Sequence, residues 1–259
     1  MNETLKTIHS MRSIHGEFSN REIADEDLDV ILAASVRAAN ASARQSYSIV
    51  VVKDKALMKK VGWVGSRMLV FCVDYTRLVD AADALGYSFE NEGLVSFVTG
   101  STDTILAAQT AAIAAKSLGI DSLFTNCVHR GDVDRIYKLL DLPEKNCFPL
   151  IALVLGYPDG EPGELRRRIT GPGVIHHGKY RRMTGKELSD MNRAYDEPES
   201  GFLTDTWREE GFAHYLEWFF EVWSRCRKKE DPEGSEGVQR NRAPQLTELA
   251  RRAGFLPGE

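Results

Sequence analysis

The stretch "STDTILAAQTAAIAAKSLG", residues 101–119, sets the architecture of this 259-residue chain. It is rich in Ala and Leu, strong helix formers. It opens on Ser, Thr and Asp as capping candidates and closes on Gly119, a residue suited to the position just past a helix end. One side of the helix is almost bare alanine. A face with so little to reach outward places the helix at the centre of the fold, packed closely on other backbone.

The segments around it alternate irregularly between helix and strand. Asp25 before "EDLDVILAASVRAA" reads as an N-cap followed by an acidic first turn and helical apolar spacing. "SYSIVVVKD" (46–54) and "MLVFCVD" (68–74) are short, β-branched and aromatic, as buried strands are. "DSLFTNCV" (121–128) reads as a strand or loop edge. "GDVDRIYKLLDLP" (131–143) is an amphipathic helix stopped by proline, and "FPLIALVLGYP" (148–158) a last buried strand ending in a turn. Mixed elements around one core, without a repeat, indicate an α/β or α+β fold.

Beyond residue 158 the character changes. "DGEPGELRRRITGPGVIHHGKYRRMTG" is rich in Gly, Pro and basic residues and reads as an extended surface segment. Residues 164–182 hold six Lys/Arg against one acid, a basic patch in a chain of net charge −5. "FAHYLEWFFEVWSRC" (212–226) places apolar residues on a helical stripe. Core packing is the plain reading of that stripe, and docking on a second subunit the sharper one. A charged connector and a short helix, "QLTELARRAGFL", follow. The division expected is a core over 1–182 and a C-terminal helical extension over 183–259, packed on the core or on a partner subunit.

With 42% hydrophobic and 27% charged residues the composition is that of a globular protein. The acidic balance argues against a nucleic-acid partner. Cys72, Cys127, Cys147 and Cys226 show no metal spacing and read as reduced thiols. No apolar leader is visible, and the longest apolar run is far short of the ~20 residues that span a bilayer. A soluble, cytoplasmic protein without membrane contact is the expectation. No Rossmann, Walker, HExxH or GxSxG pattern occurs. The pair His176–His177 lacks acidic or thiol neighbours, and Cys127 near His129 lacks a third group, so neither a metal site nor a thiol nucleophile is expected. Chemistry here would be carried by a bound cofactor.

Three segments set cationic and hydrogen-bonding groups beside element ends: Arg12-Ser13 with His15; Asn40, Ser42, Arg44 and Gln45; and Arg166-Arg167-Arg168. Singly, each is an ordinary polar loop. In order, "RS-I-H…F" resembles the RRSxRxF signature of the FMN-dependent nitroreductase family, and "AANASARQSYSIVVV" resembles its APSxxNxQPWxFxVV. "DTILAAQTAAIAAKSLGIDS" is similar to the family's central helix, and "FPLIALVLGYP" followed by "RRR" to its last strand and basic phosphate-binding segment. The resemblance spans residues 6–180.

The resemblance implies an α+β fold with a central, mostly antiparallel sheet flanked by helices, in an intertwined homodimer with FMN at the interface. Arg12 with Arg166 or Arg168 would hold the phosphate, a dianion that suits guanidinium forks, and Ser13 the ribityl chain or phosphate. His15, Arg44 and Gln45 would serve the pyrimidine edge. Asn40 and Ser42 would approach from the partner subunit, and Thr125 and Asn126 near flavin N5. NADH or NADPH would give a hydride that passes, ping-pong, to an electron-poor small molecule such as a nitroaromatic or quinone, with no protein acid or base assigned. A flavin-binding module that stores, senses or acts on FMN is the alternative. Residues 85–100 and the aromatic C-terminal stretch are the expected lid pieces. The chain departs from the pattern at Met11, which replaces the first Arg, at Phe18, one residue late, and at Tyr47, which replaces Trp.

Overall fold

A computed structural model of the chain describes residues 1–16, 18–161, 165, 168–197, 204, 206–224, 226 and 243–257. Two compact units emerge, Met1–Pro162 with Arg242–Glu259, and Gly163–Asn241. The expected division at residue 182 places its boundary differently from these units.

In the first unit the elements run α1 (Glu3–His9), α2 (Asp25–Ser35), β1 (Tyr47–Val52), α3 (Lys55–Val61), β2 (Arg67–Asp74), α4 (Thr76–Ala84) and α5 (Leu94–Ser117). They continue through β3 (Asp121–Thr125), α6 (Cys127–Arg130), α7 (Val133–Leu140) and β4 (Cys147–Gly156). The strands form one antiparallel sheet of order β1-β2-β4-β3, so the fold is α+β. β2 and β4 lie at its centre with both faces covered, which explains their unbroken apolar runs. Met68, Val70 and Cys72 of β2 with Ala152 and Val154 of β4 face one core. Leu69, Phe71, Leu153 and Leu155 face the other, shared with α2 and α5.

α5 is the long central helix, and its alanine face is the buried one: Ala107, Ala108, Ala111, Ala112 and Ala115 are all at most 1% exposed. It ends as expected, with Gly119 at φ +76° just past the last turn. Its start differs, because α5 begins at Leu94 after Gly93. Ser101, Thr102 and Asp103 therefore lie inside the helix and cap nothing. Asp25 is also not a cap: Ala24 occupies that position without a side-chain bond. The Asp25 carboxylate pairs instead with Lys53 at 2.7 Å and Arg67 at 3.4 Å. Beside it Glu22 takes Lys55, Ser66 and Arg67, and these partners, Lys55 foremost, hold its carboxyl down at about 2.

The first core is closed by residues far along the chain. α10 (Ala243–Arg252) brings Leu249, Ala253 and Phe255 into the cluster of Tyr75 and Phe148. The Asn146 N–H donates to the Ala253 carbonyl at 2.9 Å, and Phe255 is fully buried.

In the second unit α8 (Gly185–Asp196) starts on a capping box between Thr184 and Glu187. Trp207, Tyr215 and Trp218 form a small core of their own. α9 (Tyr215–Trp218) is fastened by Asp196, which accepts from Tyr215 N–H at 2.8 Å and meets His214 Nδ1 at 2.6 Å. That carboxylate raises the His214 pKa. Past Trp218 the helix widens to a π turn over Phe219–Trp223. The wider turn rotates the apolar stripe, so Val222 and Trp223 face solvent and do not join Tyr215 and Trp218. Among the described residues no helix is long and apolar enough to cross a membrane.

Phe255→Ala should lower stability by roughly 3–5 kcal/mol, the range for truncating a buried aromatic. A urea midpoint equal to the parent's would show that the Phe255 ring contributes nothing to the first core.

Candidate functional site

The N-terminal segment reaches the sheet beside β3. Ser13 forms an isolated parallel bridge with Ser122, and Ile14 N–H donates to the Ser122 carbonyl at 3.0 Å. Ile14 is buried and anchors the segment to β3. Arg12 is half-buried, while Ser13 and His15 are exposed. A guanidinium, a hydroxyl and an imidazole thus sit within four residues along one edge. Met11, in place of the family's first Arg, is half-buried and receives Gln109 Nε2 of α5 at 3.7 Å on its sulfur.

Asn40, Ser42, Arg44 and Gln45 lie in the loop between α2 and β1. Its backbone is unusual, with Ser42 at φ +54°, Ala43 at +56° and Gln45 at +51°. None is Gly, and each such residue costs roughly 1–3 kcal/mol unless its surroundings impose it. Here they do. The Asn40 Oδ1 accepts Gln45 N–H at 3.0 Å. Asp103 of α5 accepts Ala41 N–H at 2.9 Å and Ser46 N–H at 3.4 Å. Arg77 of α4 donates to the carbonyls of Arg44 and Gln45, both at 2.9 Å. Arg44 itself turns inward, its Nε on the Ala41 carbonyl at 3.4 Å. Ser42 and Ala43 are left exposed at the crest. Asp103 was expected only as a capping residue of the helix, and Arg77 had no expected role. A lone acid inside an alanine-rich buried helix is the signal that would have found the first.

Thr125 ends β3, and its hydroxyl accepts Cys127 N–H at 3.2 Å; Asn126 follows at the head of α6 with no side-chain cap bond. Both are half-buried. Ser122 and Thr125 are three strand residues, or about 10 Å, apart, so one strand carries Ser13 near its start and Asn126 past its end. Burial raises the Cys127 thiol pKa, which keeps it protonated. His129 turns Nδ1 to the Leu150 carbonyl at 2.7 Å, and burial lowers its pKa. Neither group is set up as a nucleophile or its base. Among the described residues no cluster of three metal-ligating side chains occurs.

Arg166 lies outside the described residues. Arg168 is exposed in the second unit, where it lines a cavity of about 350 Å³ with Met183, Glu187 and Met191. Within the first unit the donor set suits a phosphorylated, polyhydroxylated ligand such as FMN. It combines a cation, hydroxyls and amides, and the buried hydroxyls of Ser46 and Tyr47 at the loop exit have no hydrogen-bond partner among the described residues.

No protein-family model matches the chain. It is 32% identical over 215 residues to an FMN reductase [NAD(P)H] of Bacillus subtilis, covering 78% of this chain and 84% of that protein. Among solved structures it matches the hypothetical oxidoreductase YcnD of Bacillus subtilis with a TM-score of 0.78 and 26% identity, over 100% of both chains. The NfrA1 nitroreductase of B. subtilis shares the fold at a TM-score of 0.76 and 22% identity, over 98% of this chain and 100% of that one. The chain therefore belongs to the nitroreductase family of NAD(P)H-dependent flavin oxidoreductases.

Gly100 of α5 sits where the loop exit, β2 and Tyr75 converge. A Cβ there would come 2.6 Å from Val73 Cγ1 and 3.3 Å from the Ser46 carbonyl. Ala in place of a helix Gly ordinarily gains roughly 0.5–1 kcal/mol, but overpacking costs about 1–3 kcal/mol. Gly100→Ala should therefore lower the melting temperature, and a rise would show that α5 has room to move off the loop.

Proposed function

We propose that the chain retains FMN and carries electrons from NADH or NADPH to an electron-poor small molecule in a ping-pong sequence. The likeness over most of its length to a protein named FMN reductase [NAD(P)H] carries this reading. That name also favours a second flavin as acceptor beside nitroaromatics and quinones. Bound FMN would supply the hydride chemistry. The chain's own residues would supply retention, orientation and exclusion of water.

Arg12 and Ser13, joined by Arg166 or Arg168, would grip the phosphate. His15, Arg44 and Gln45 would serve the pyrimidine edge, and Thr125 and Asn126 the ring near N5. Asn40 and Ser42 would come from the partner subunit. A homodimer is supported by the outer face of α5, where Leu94, Val95, Val98, Ile105 and Leu106 are 41–60% exposed. Phe220, Val222 and Trp223 add exposed apolar surface in the second unit, consistent with an extension that packs on the core or a partner. Four free cysteines suit the cytoplasm, which also supplies NAD(P)H.

Purified protein should be yellow and should bleach anaerobically with NADH or NADPH. Yellow protein that neither nicotinamide bleaches would favour a flavin-storing module, and colourless protein that cannot be reconstituted would sink both. Arg12→Ala should weaken FMN retention by about 1–3 kcal/mol, the size of a hydrogen bond to a charged group. An unchanged FMN dissociation constant would remove Arg12 from the site.

A further inference from the structure

Asp103 is 2% exposed on the buried side of α5. A buried carboxylate is costly unless its oxygens are occupied. Among the described residues no cationic side chain pairs with it, and its two oxygens are taken by the backbone N–H groups of Ala41 and Ser46. These are the two feet of the loop whose interior residues Ser42, Ala43 and Gln45 lie in the left-handed region. Holding both feet to one carboxylate sets the span of the loop. With the span set, the residues between must fold back, and three ordinary L-residues accept a conformation that none favours. Arg77 takes the outward carbonyls of Arg44 and Gln45 and closes the loop from the other side. Asp74 N–H on the Ser46 carbonyl, at 3.1 Å, ties the same foot to β2.

We propose that Asp103 is a positioning residue for flavin binding: through Ala41 and Ser46 it presents Asn40 and Ser42 in the one loop shape that can approach the flavin. This rests on the reading of that loop as part of an FMN site. Asp103 touches no flavin atom itself. Its effect is pre-organisation, since a loop already held in its binding form loses less freedom when the ligand arrives.

The test compares wild-type protein with Asp103→Asn and Arg77→Ala. Asn keeps the shape and one acceptor oxygen but turns a donor toward the second N–H. Arg77→Ala loosens the same loop from the surface and leaves the buried helix untouched, so it decides the matter should Asp103→Asn fail to fold. Two readouts are taken: the FMN dissociation constant of the apoprotein by flavin-fluorescence quenching, and amide hydrogen exchange across residues 40–46. Asp103→Asn should weaken FMN by about tenfold or more, the loss of one charge-assisted hydrogen bond. It should also speed exchange at Ala41 and Ser46 by a similar factor, with exchange across β2 and β4 unchanged. Arg77→Ala should move both readouts in the same direction. A folded Asp103→Asn protein that binds FMN within about twofold of wild type overturns the assignment while leaving the flavin reading intact. Faster exchange without weaker binding also overturns it, since Asp103 would then shape a loop the flavin does not use. Wild-type protein that binds no FMN overturns the flavin reading, and this role with it.

Discussion

Alanines 107, 108, 111, 112 and 115 let α5 bury one whole side against β2 and β4 with almost no side-chain volume between. Larger residues would lift the helix and open voids that cost stability in proportion to their size. Because the helix is seated so firmly, it serves as a datum for segments far from it in sequence. Asp103 fixes the loop before β1, Gln109 meets Met11 beside Arg12, and Ser35 of α2 bonds the Ala107 carbonyl at 2.9 Å. The loops that carry the candidate site residues are tied to the helix that the sheet holds.

That division of labour explains what was legible in the sequence. The alanine face, the strands 46–54, 68–74 and 148–158, and the helix before Pro143 follow from composition and period, which are local properties. The antiparallel sheet flanked by helices was implied only by the family resemblance, and the strand order β1-β2-β4-β3 by neither residues nor resemblance. α5 extends seven residues further toward the N-terminus than expected, because "LVSFVTG" was assigned to a lid over residues 85–100. There, burial of Ser96 and Gly100 against Tyr75 outweighs propensity.

The site was legible in part. Residue type and position singled out Arg12, Ser13 and His15 and the polar loop from Asn40 to Gln45, the resemblance gave them expected roles, and within the first unit they lie on segments anchored to β3 and α5. The loop's left-handed residues carried no mark, since Ser42, Ala43 and Gln45 are not the Gly or Asn that announce such geometry. The loop is held at Ala41 by a carboxylate 62 residues away, and from the other side by Arg77. The π turn over Phe219–Trp223 was equally silent, because an apolar stripe is written the same way whichever turn carries it.

The burial of Leu249, Ala253 and Phe255 beside Tyr75 has a consequence in time. Domains emerging from the ribosome tend to fold from the N-terminus as units. Here the first unit lacks part of its core until residues 249–255 have left the exit tunnel, behind the whole of 163–241. Until then the aromatic rings of Tyr75, Phe97 and Phe148 lack Phe255, the ring that packs on Tyr75 and Phe97 in the folded chain.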